Sequence, residues 1–179
     1  MGGVELRAGA RVAVRRVRQE DAERFVELAR MSSGLHRPWV NLPLSVEEFA
    51  GYLARFDEVS AVGMLICLRE GGELAGTVNV NGIVRGSYQR GVLGYAAFLP
   101  HAGRGYLTEG VGLAVRYAFE QLELHRVEAD IQPGNAASIG LVQRLGFRRE
   151  GFSPGFIKID GVWRDHERWA LTRYDARVY

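Results

Sequence analysis

The sequence holds almost none of the residues from which disulfide or metal scaffolds are built. Cys67 is the one cysteine in 179 residues, which excludes an internal disulfide framework. No Cys-x-x-Cys pair or Cys/His cluster stands at metal-ligand spacing, so no metal site is expected. Nowhere do about 18 apolar residues follow one another, the length that a membrane-spanning helix requires. Met1-Gly2-Gly3-Val4-Glu5 lacks the basic segment and apolar run of a secretory leader. A reducing, cytoplasmic setting without a membrane partner is the expectation. Lysine is nearly missing as well, with Lys158 alone among 23 basic side chains. Against 21 acidic residues these leave a net charge of +2. No dense basic run marks a nucleic-acid footprint, so no direct nucleic-acid partner is expected. An acidic small molecule, or a partner held on ribosomes, is compatible with that balance.

What is present is ordinary for a globular chain: 47% apolar and 25% charged residues. The length suits one domain, taken as 1–179 with a core at about 11–173.

The periodicity changes along the chain. Residues 11–17 alternate like a strand, and 19–31 carry Ala22, Phe25, Val26 and Ala29 on one helical stripe. Pro38 and Pro43 interrupt the next stretch. Ser45 and Glu48 have capping-box spacing, with Leu44 and Phe49 as hydrophobic staple, for a helix to about Phe56. Strand patterns follow at 62–68, 74–84 and 92–99, joined by short turns, which reads as an antiparallel meander. Leu107, Val111, Ala114, Val115, Ala118, Phe119 and Leu122 form one face of a longer helix. A short strand at 126–131 and a short helix at 135–145 come next, with Asn135 as N-cap and Gly146 as C-terminal glycine. Two final strands flank Asp160-Gly161, a two-residue hairpin signal. The pattern predicts a single mixed α/β domain of α+β type with about four helices.

The chemistry concentrates at Leu99-Pro100-His101-Ala102-Gly103-Arg104-Gly105-Tyr106-Leu107-Thr108-Glu109-Gly110. A strand ends at a proline, passes two glycines one residue apart and enters an amphipathic helix. The first N–H groups of a helix have no internal acceptor and sit at the positive end of its dipole. Glycine lets backbone approach a phosphate closely, so the turn suits a pyrophosphate. It is not a P-loop, because no Gly-Lys-Ser/Thr follows, nor a dinucleotide fingerprint, because the third glycine is absent. A tight turn alone would also explain Gly-x-Gly. Gly110 and Gly112 inside the helix suggest close packing on the sheet or on a ligand.

The ordered set of motifs resembles the GNAT superfamily of acetyl-CoA-dependent N-acetyltransferases. It includes Gly103-Arg104-Gly105, Asn135-Ala136-Ala137-Ser138 and Leu145-Gly146-Phe147. Within that superfamily it is similar to the RimJ-type ribosomal-protein alanine N-acetyltransferases. The closer likeness rests on Asn81-Gly82-Ile83-Val84-Arg85-Gly86-Ser87, Leu93-Gly94-Tyr95, Leu124-His125-Arg126, Glu150-Gly151 and Ile159-Asp160-Gly161-Val162-Trp163-Arg164-Asp165-His166, spanning about 11–173. The resemblance implies a mostly antiparallel sheet whose fourth and fifth strands run parallel and splay, here 91–99 and 126–131. The backbone of Ala97, Phe98 and Leu99 would bind the pantetheine arm. The N–H groups of Gly103, Arg104, Gly105 and Tyr106 would take the pyrophosphate, with Asn135 and Ser138 as further cofactor contacts. Pro100 stands where the family often has Gln or Arg, and Ala102 where many relatives have an aromatic; neither removes a backbone donor.

The implied reaction is direct attack of a primary amine on the thioester of acetyl-CoA. The acceptor implied is the N-terminal α-amine of a protein, as on a ribosomal protein. An α-amine, with a pKa near 7.7–8.0 against about 10.4 for lysine, is partly neutral near pH 7. A modest base or a water relay therefore suffices. Ser138 would protonate or hydrogen-bond the thiolate, or else bond the helix-start backbone. The penultimate strand, Phe156-Ile157-Lys158-Ile159, carries no glutamate to act as base. Glu109 and Asp165 are the carboxylate candidates, against a dipole-favoured surface acid and a strand-to-strand hydrogen bond. His36, His101, His125 and His166 could titrate near neutrality, His125 reading as structural. The cluster Trp39, Asn41, Asn79, Asn81, Arg85 and Trp163 resembles the family's acceptor side, while Trp39 could instead fill core beneath the first two helices and Asn79 or Asn81 could mark a bulge. Two other functions fit the scaffold: a small-molecule acetyltransferase acting on an antibiotic or aminoacyl compound, and a non-catalytic acyl-CoA sensor. A monomer or homodimer is expected.

Overall fold

The structure, a computed structural model, describes residues 5–178. Eight strands form one sheet: β1 (Glu5–Ala8), β2 (Val12–Arg16), β3 (Val62–Leu68), β4 (Leu74–Val84), β5 (Arg90–Ala97), β6 (Arg126–Ile131), β7 (Arg148–Ile159) and β8 (Val162–Thr172). Their spatial order is β1-β2-β3-β4-β5-β6-β8-β7. Every neighbouring pair is antiparallel except β5 and β6, which run parallel. Five α-helices complete the fold: α1 (Ala22–Met31), α2 (Ser33–His36), α3 (Val46–Leu53), α4 (Tyr106–Glu120) and α5 (Ala136–Arg144).

The sheet is covered on both faces, and β3 shows why its sequence is apolar throughout. Met64 and Ile66 enter the core under α4 and α5, together with Val78, Val111, Ala114 and Val142. Leu65 and Cys67 enter the opposite core with Phe25, Leu28, Phe49 and Phe98, beneath α1 and α3. Alternate side chains of one strand thus serve two layers. In the second core the rings of Phe25, Phe49, Tyr52 and Phe98 meet at centroid distances of 5.1–5.4 Å around Phe25, in tilted and edge-on contacts that aromatic quadrupoles favour.

The meander expected from the sequence is β3-β4-β5. Several boundaries differ. The strand β1 was not foreseen, since Glu5-Leu6-Arg7-Ala8 is a four-residue edge segment with little alternation to read. Five helices stand where four were expected, because Ser33–His36 makes a single helical turn ahead of Pro38. The third helix stops at Leu53 rather than Phe56. Its Ser45 Oγ accepts from Glu48 N–H (3.1 Å), but the Glu48 carboxylate accepts from Leu44 N–H (2.7 Å), one residue earlier than a standard capping box. The strand expected at 92–99 ends at Ala97, and Leu99–His101 forms a single 3-10 turn. Asp160 and Gly161 have φ of 49° and 78°, the left-handed pair that a tight hairpin turn demands.

Candidate active site

The parallel contact between β5 and β6 is short. It pairs Arg90 with Arg126, Gly91 with Val127 and Val92 with Glu128. Beyond that point β5 continues only against β4, to Ala97 opposite Gly76, and β6 only against β8, to Ile131 opposite Glu167. A cleft of about 470 Å³ opens between them. The α1–α2 corner holds the end of β5 on its far side. Ser32 Oγ, fully buried, accepts from Leu99 N–H (2.8 Å) and donates to Leu28 O (2.6 Å). His36 Nε2 donates to Ala97 O (2.8 Å), and burial lowers its pKa, which keeps the ring neutral.

These bonds revise the expected main-chain contacts. Phe98 N–H donates to Ala75 O (2.9 Å), so Phe98 points its polar groups toward β4. Antiparallel pairing alternates, which turns those of Leu93, Tyr95 and Ala97 toward the cleft. Of the expected set, Phe98 N–H, Leu99 N–H and Ala97 O are already bonded inside the protein, while Ala97 N–H faces the cleft.

At the mouth, Gly103 and Gly105 have φ of 73° and 80°, a conformation that glycine adopts without strain. Gly105 is the N-cap of α4, and no side chain caps the helix. The first main-chain bond at this end is Glu109 N–H to Gly105 O (3.1 Å). Among the described residues, the N–H groups of 103–108 have no main-chain acceptor. Arg11 Nη1 donates to Arg104 O (3.0 Å), and its guanidinium lies 4.8 Å from the Tyr106 ring centroid, bracing the turn from behind. His101, also in the lining, pairs through Nε2 with Glu73 (3.2 Å), while its Nδ1 is buried without a partner. A cradle of free donors, a glycine pair and an orphaned ring nitrogen together fit a diphosphate-bearing ligand.

Deeper in, Asn135 Oδ1 caps α5 by accepting from Ser138 N–H (3.2 Å). The Ser138 hydroxyl does not bond the helix-start backbone; it lies 2.6 Å from Tyr95 Oη. Burial pushes the Tyr95 phenol up to about 12, so it stays protonated at neutral pH. The inner end is lined by Leu35, His36, Trp39, Val40, Asp130, Gln132 and His166. Gln132 Nε2 donates to Pro38 O (3.0 Å) and Asn41 Nδ2 to Asp160 Oδ1 (2.7 Å). The loop of 37–43 is thereby tied to both the β6–α5 turn and the tip of the β7–β8 hairpin.

The acetyltransferase (GNAT) domain model matches residues 11–148. The chain is 32% identical over 175 residues to the ribosomal protein uS5-alanine N-acetyltransferase of Escherichia coli, covering 92% of this chain and 89% of that protein. It belongs to the GNAT acetyltransferase family. A probable N-acetyltransferase of Bacillus subtilis, YjcK, is 42% identical over 102 residues, 57% of this chain and 56% of that protein. Among solved structures, Mycobacterium smegmatis RimJ in complex with CoA-disulfide superposes with a TM-score of 0.85 at 24% identity, covering 93% of this chain and 84% of that one.

Within this GNAT domain the cleft gathers Ala97, Gly103, Gly105, Asn135, Ser138 and Trp39 of the residues singled out in the sequence. It does not gather the two carboxylates. Glu109 faces a second hollow of about 770 Å³ on the other side of α4. Its oxygens accept from Arg11 N–H (2.7 Å), Arg11 Nε (2.9 Å) and Val12 N–H (3.2 Å). Burial alone would raise its pKa, but these donors outweigh it and lower it. Asp165 is exposed, and its Oδ1 accepts from Gly155 N–H across the hairpin (2.8 Å). Of the acceptor set, Asn79 is buried against Tyr52 Oη (3.0 Å), and Asn81 sits at the β4 irregularity before Val84. Arg85 donates to Leu122 O near the end of α4, and Trp163 is exposed on the hairpin. Sequence reading gave no role to Tyr95, Ser32 or Asp130, and named His166 only as one of four histidines that could titrate near neutrality. Tyr95 and His166 did fall inside family-like motifs; Ser32 and Asp130 carried no local signal, since only packing gives them partners.

Proposed function

We propose that this acetyltransferase transfers acetyl from acetyl-CoA to the N-terminal α-amine of a protein, of the ribosomal-protein kind, by direct transfer in the β5–β6 cleft. The observation that carries the reading is the match along 92% of the chain to a relative named for alanine acetylation of ribosomal protein uS5. Acetyl-CoA would supply the activated acyl group as a thioester. The turn of 103–108 would hold the diphosphate with main-chain donors, and the cleft-facing main chain of Leu93 and Tyr95 would bond the pantetheine amides. Arg104 adds a screened positive charge at the mouth. Ser138, oriented by its hydrogen bond to a Tyr95 that keeps its proton, can relay to the departing sulfur a proton that the acceptor nitrogen loses as the C–N bond forms.

A polycationic small-molecule acceptor is less favoured by the same geometry. Among the described residues lining the cleft, Asp130 is the only carboxylate, and Arg168 Nε is 2.6 Å from it. The test is to incubate the protein with acetyl-CoA and free-N-terminus peptides beginning with Ala, Ser, Met or Gly, alongside aminoglycosides, and to follow thiol release. Release with Ala or Ser peptides is expected. Release with the drugs alone overturns the peptide reading.

A further inference from the structure

The reading above leaves one role unfilled: neither carboxylate suggested by the sequence reaches the cleft, yet an ammonium group must lose a proton before it can attack. We propose that His166 is the general base, its Nε2 taking that proton at the inner end of the cleft with Asp130 beside it. The inference deepens the proposed function and rests on transfer taking place in the β5–β6 cleft.

Four observations support it. His166 lines the cleft and is 2% exposed, so its ring is shielded from bulk water. Its Nδ1 lies 2.9 Å from Arg164 O; a carbonyl can only accept, so Nδ1 carries the hydrogen of the neutral ring and Nε2 carries the lone pair. The other imidazoles of the lining are committed elsewhere, His36 to Ala97 O and His101 to Glu73 at the cofactor end. Finally, Asp130, also in the lining, comes from the adjacent strand β6, two positions beyond Glu128. Burial raises the Asp130 pKa, Arg168 pulls it down, Glu128 pushes it up and, last, His166 pulls it down; Asp130 thus lies close enough to sense a charge on the imidazole. The Phe156 ring closes the far side of the imidazole at 6.2 Å, edge-on.

The titratable and charged groups at this end are Asp130 and Glu128 from β6, Arg168 from β8, Tyr95 from β5, Arg144 from α5 and His36 from α2. Arg168 binds both Asp130 (2.6 Å) and Glu128 (3.7 Å). It limits how much negative charge reaches the imidazole without removing it. Nε2 takes one ammonium proton, and the freed lone pair forms the C–N bond to the acyl carbon as the C–S bond breaks. A second N–H proton passes to the departing sulfur by way of Ser138. The imidazolium then releases its proton to water, leaving amide, thiol and one proton.

The test measures kcat/KM against pH for wild type, His166→Gln and Asp130→Asn, with coenzyme A affinity by calorimetry and circular dichroism as controls. In His166→Gln, kcat is expected to fall by about 10²- to 10⁴-fold, the acid limb of the wild-type profile to vanish, and coenzyme A affinity to hold. Asp130→Asn removes a negative charge near the imidazole and is expected to move that limb to lower pH. On the wild type itself, ¹⁵N NMR of the coenzyme A complex should show His166 titrating at the midpoint of the acid limb. An unchanged kcat and limb in His166→Gln overturns the proposal. So does a His166 ring whose titration does not coincide with the limb, a result that needs no variant to fold. The measurements use whichever amine the wild type acetylates, so rejection of all peptides overturns the proposed acceptor separately.

Discussion

Ser138 and Tyr95 show how much one contact can redirect a residue. From sequence, Ser138 was either a proton donor or a third helical residue bonding its own backbone; the 2.6 Å contact to Tyr95 Oη turns its hydroxyl into the cleft. Ser138→Ala is expected to lower kcat by about 10²-fold while coenzyme A affinity, followed by calorimetry, stays the same. Tyr95→Phe removes one hydrogen bond of about 1 kcal/mol, equivalent to roughly fivefold in rate. Because burial keeps the Tyr95 phenol protonated across the neutral range, that loss should not vary with pH there. A Ser138→Ala enzyme with unaltered kcat would remove the serine from the chemistry. The glycine turn was readable in advance because φ values of 73° and 80° at Gly103 and Gly105 are a local property of glycine. The carboxylate assignments were not, because whether an acid is free depends on donors about a hundred residues away, as for Glu109 and Arg11.

At the scale of elements, Glu109 is a tie between the first turn of α4 and the start of β2. Its carboxylate accepts three N–H groups there, which draws its folded pKa down despite burial. A carboxyl depressed in the folded state stabilises above its unfolded value, near 4.3, and that contribution is lost as pH falls through the folded value. Glu109→Ala should therefore cost about 1–3 kcal/mol at neutral pH, and the gap in Tm to wild type should narrow below about pH 4. Turnover measured under folded conditions should be retained; a collapse of kcat without loss of stability would return Glu109 to the catalytic list. Periodicity predicted α4 well because its apolar stripe is continuous. Gly110 within it is explained by contact, since a Cβ there would lie 2.6 Å from Ile66. The helix is pressed onto β3, the packing alternative that the sequence had offered for this glycine. The end of β5 was misjudged, since Phe98 is apolar and fully buried like a strand residue, yet the main chain has already turned.

For the whole molecule, the decisive feature is that β5 and β6 part after three paired residues. Part of the hold comes from the α1–α2 corner, where Ser32 and His36 grip the end of β5. Ser32→Ala would leave the part-buried Leu99 N–H without its acceptor, at a cost of about 1 kcal/mol. A drop in Tm of roughly 2–4 °C per kcal/mol is expected for a chain of this size, together with weaker coenzyme A binding; an unchanged melting curve would show that the corner does not hold the strand. Alternation, helical stripes, caps and turn glycines gave the order of the elements from β2 onward and the place of the glycine turn before α4, because each depends on residues within a few positions of one another. Which backbone edge faces the gap, which acids are free, and which histidines line the cleft were settled only by packing. Those properties depend on partners brought together from distant parts of the chain, and a one-residue change in strand register turns every polar group to the other side.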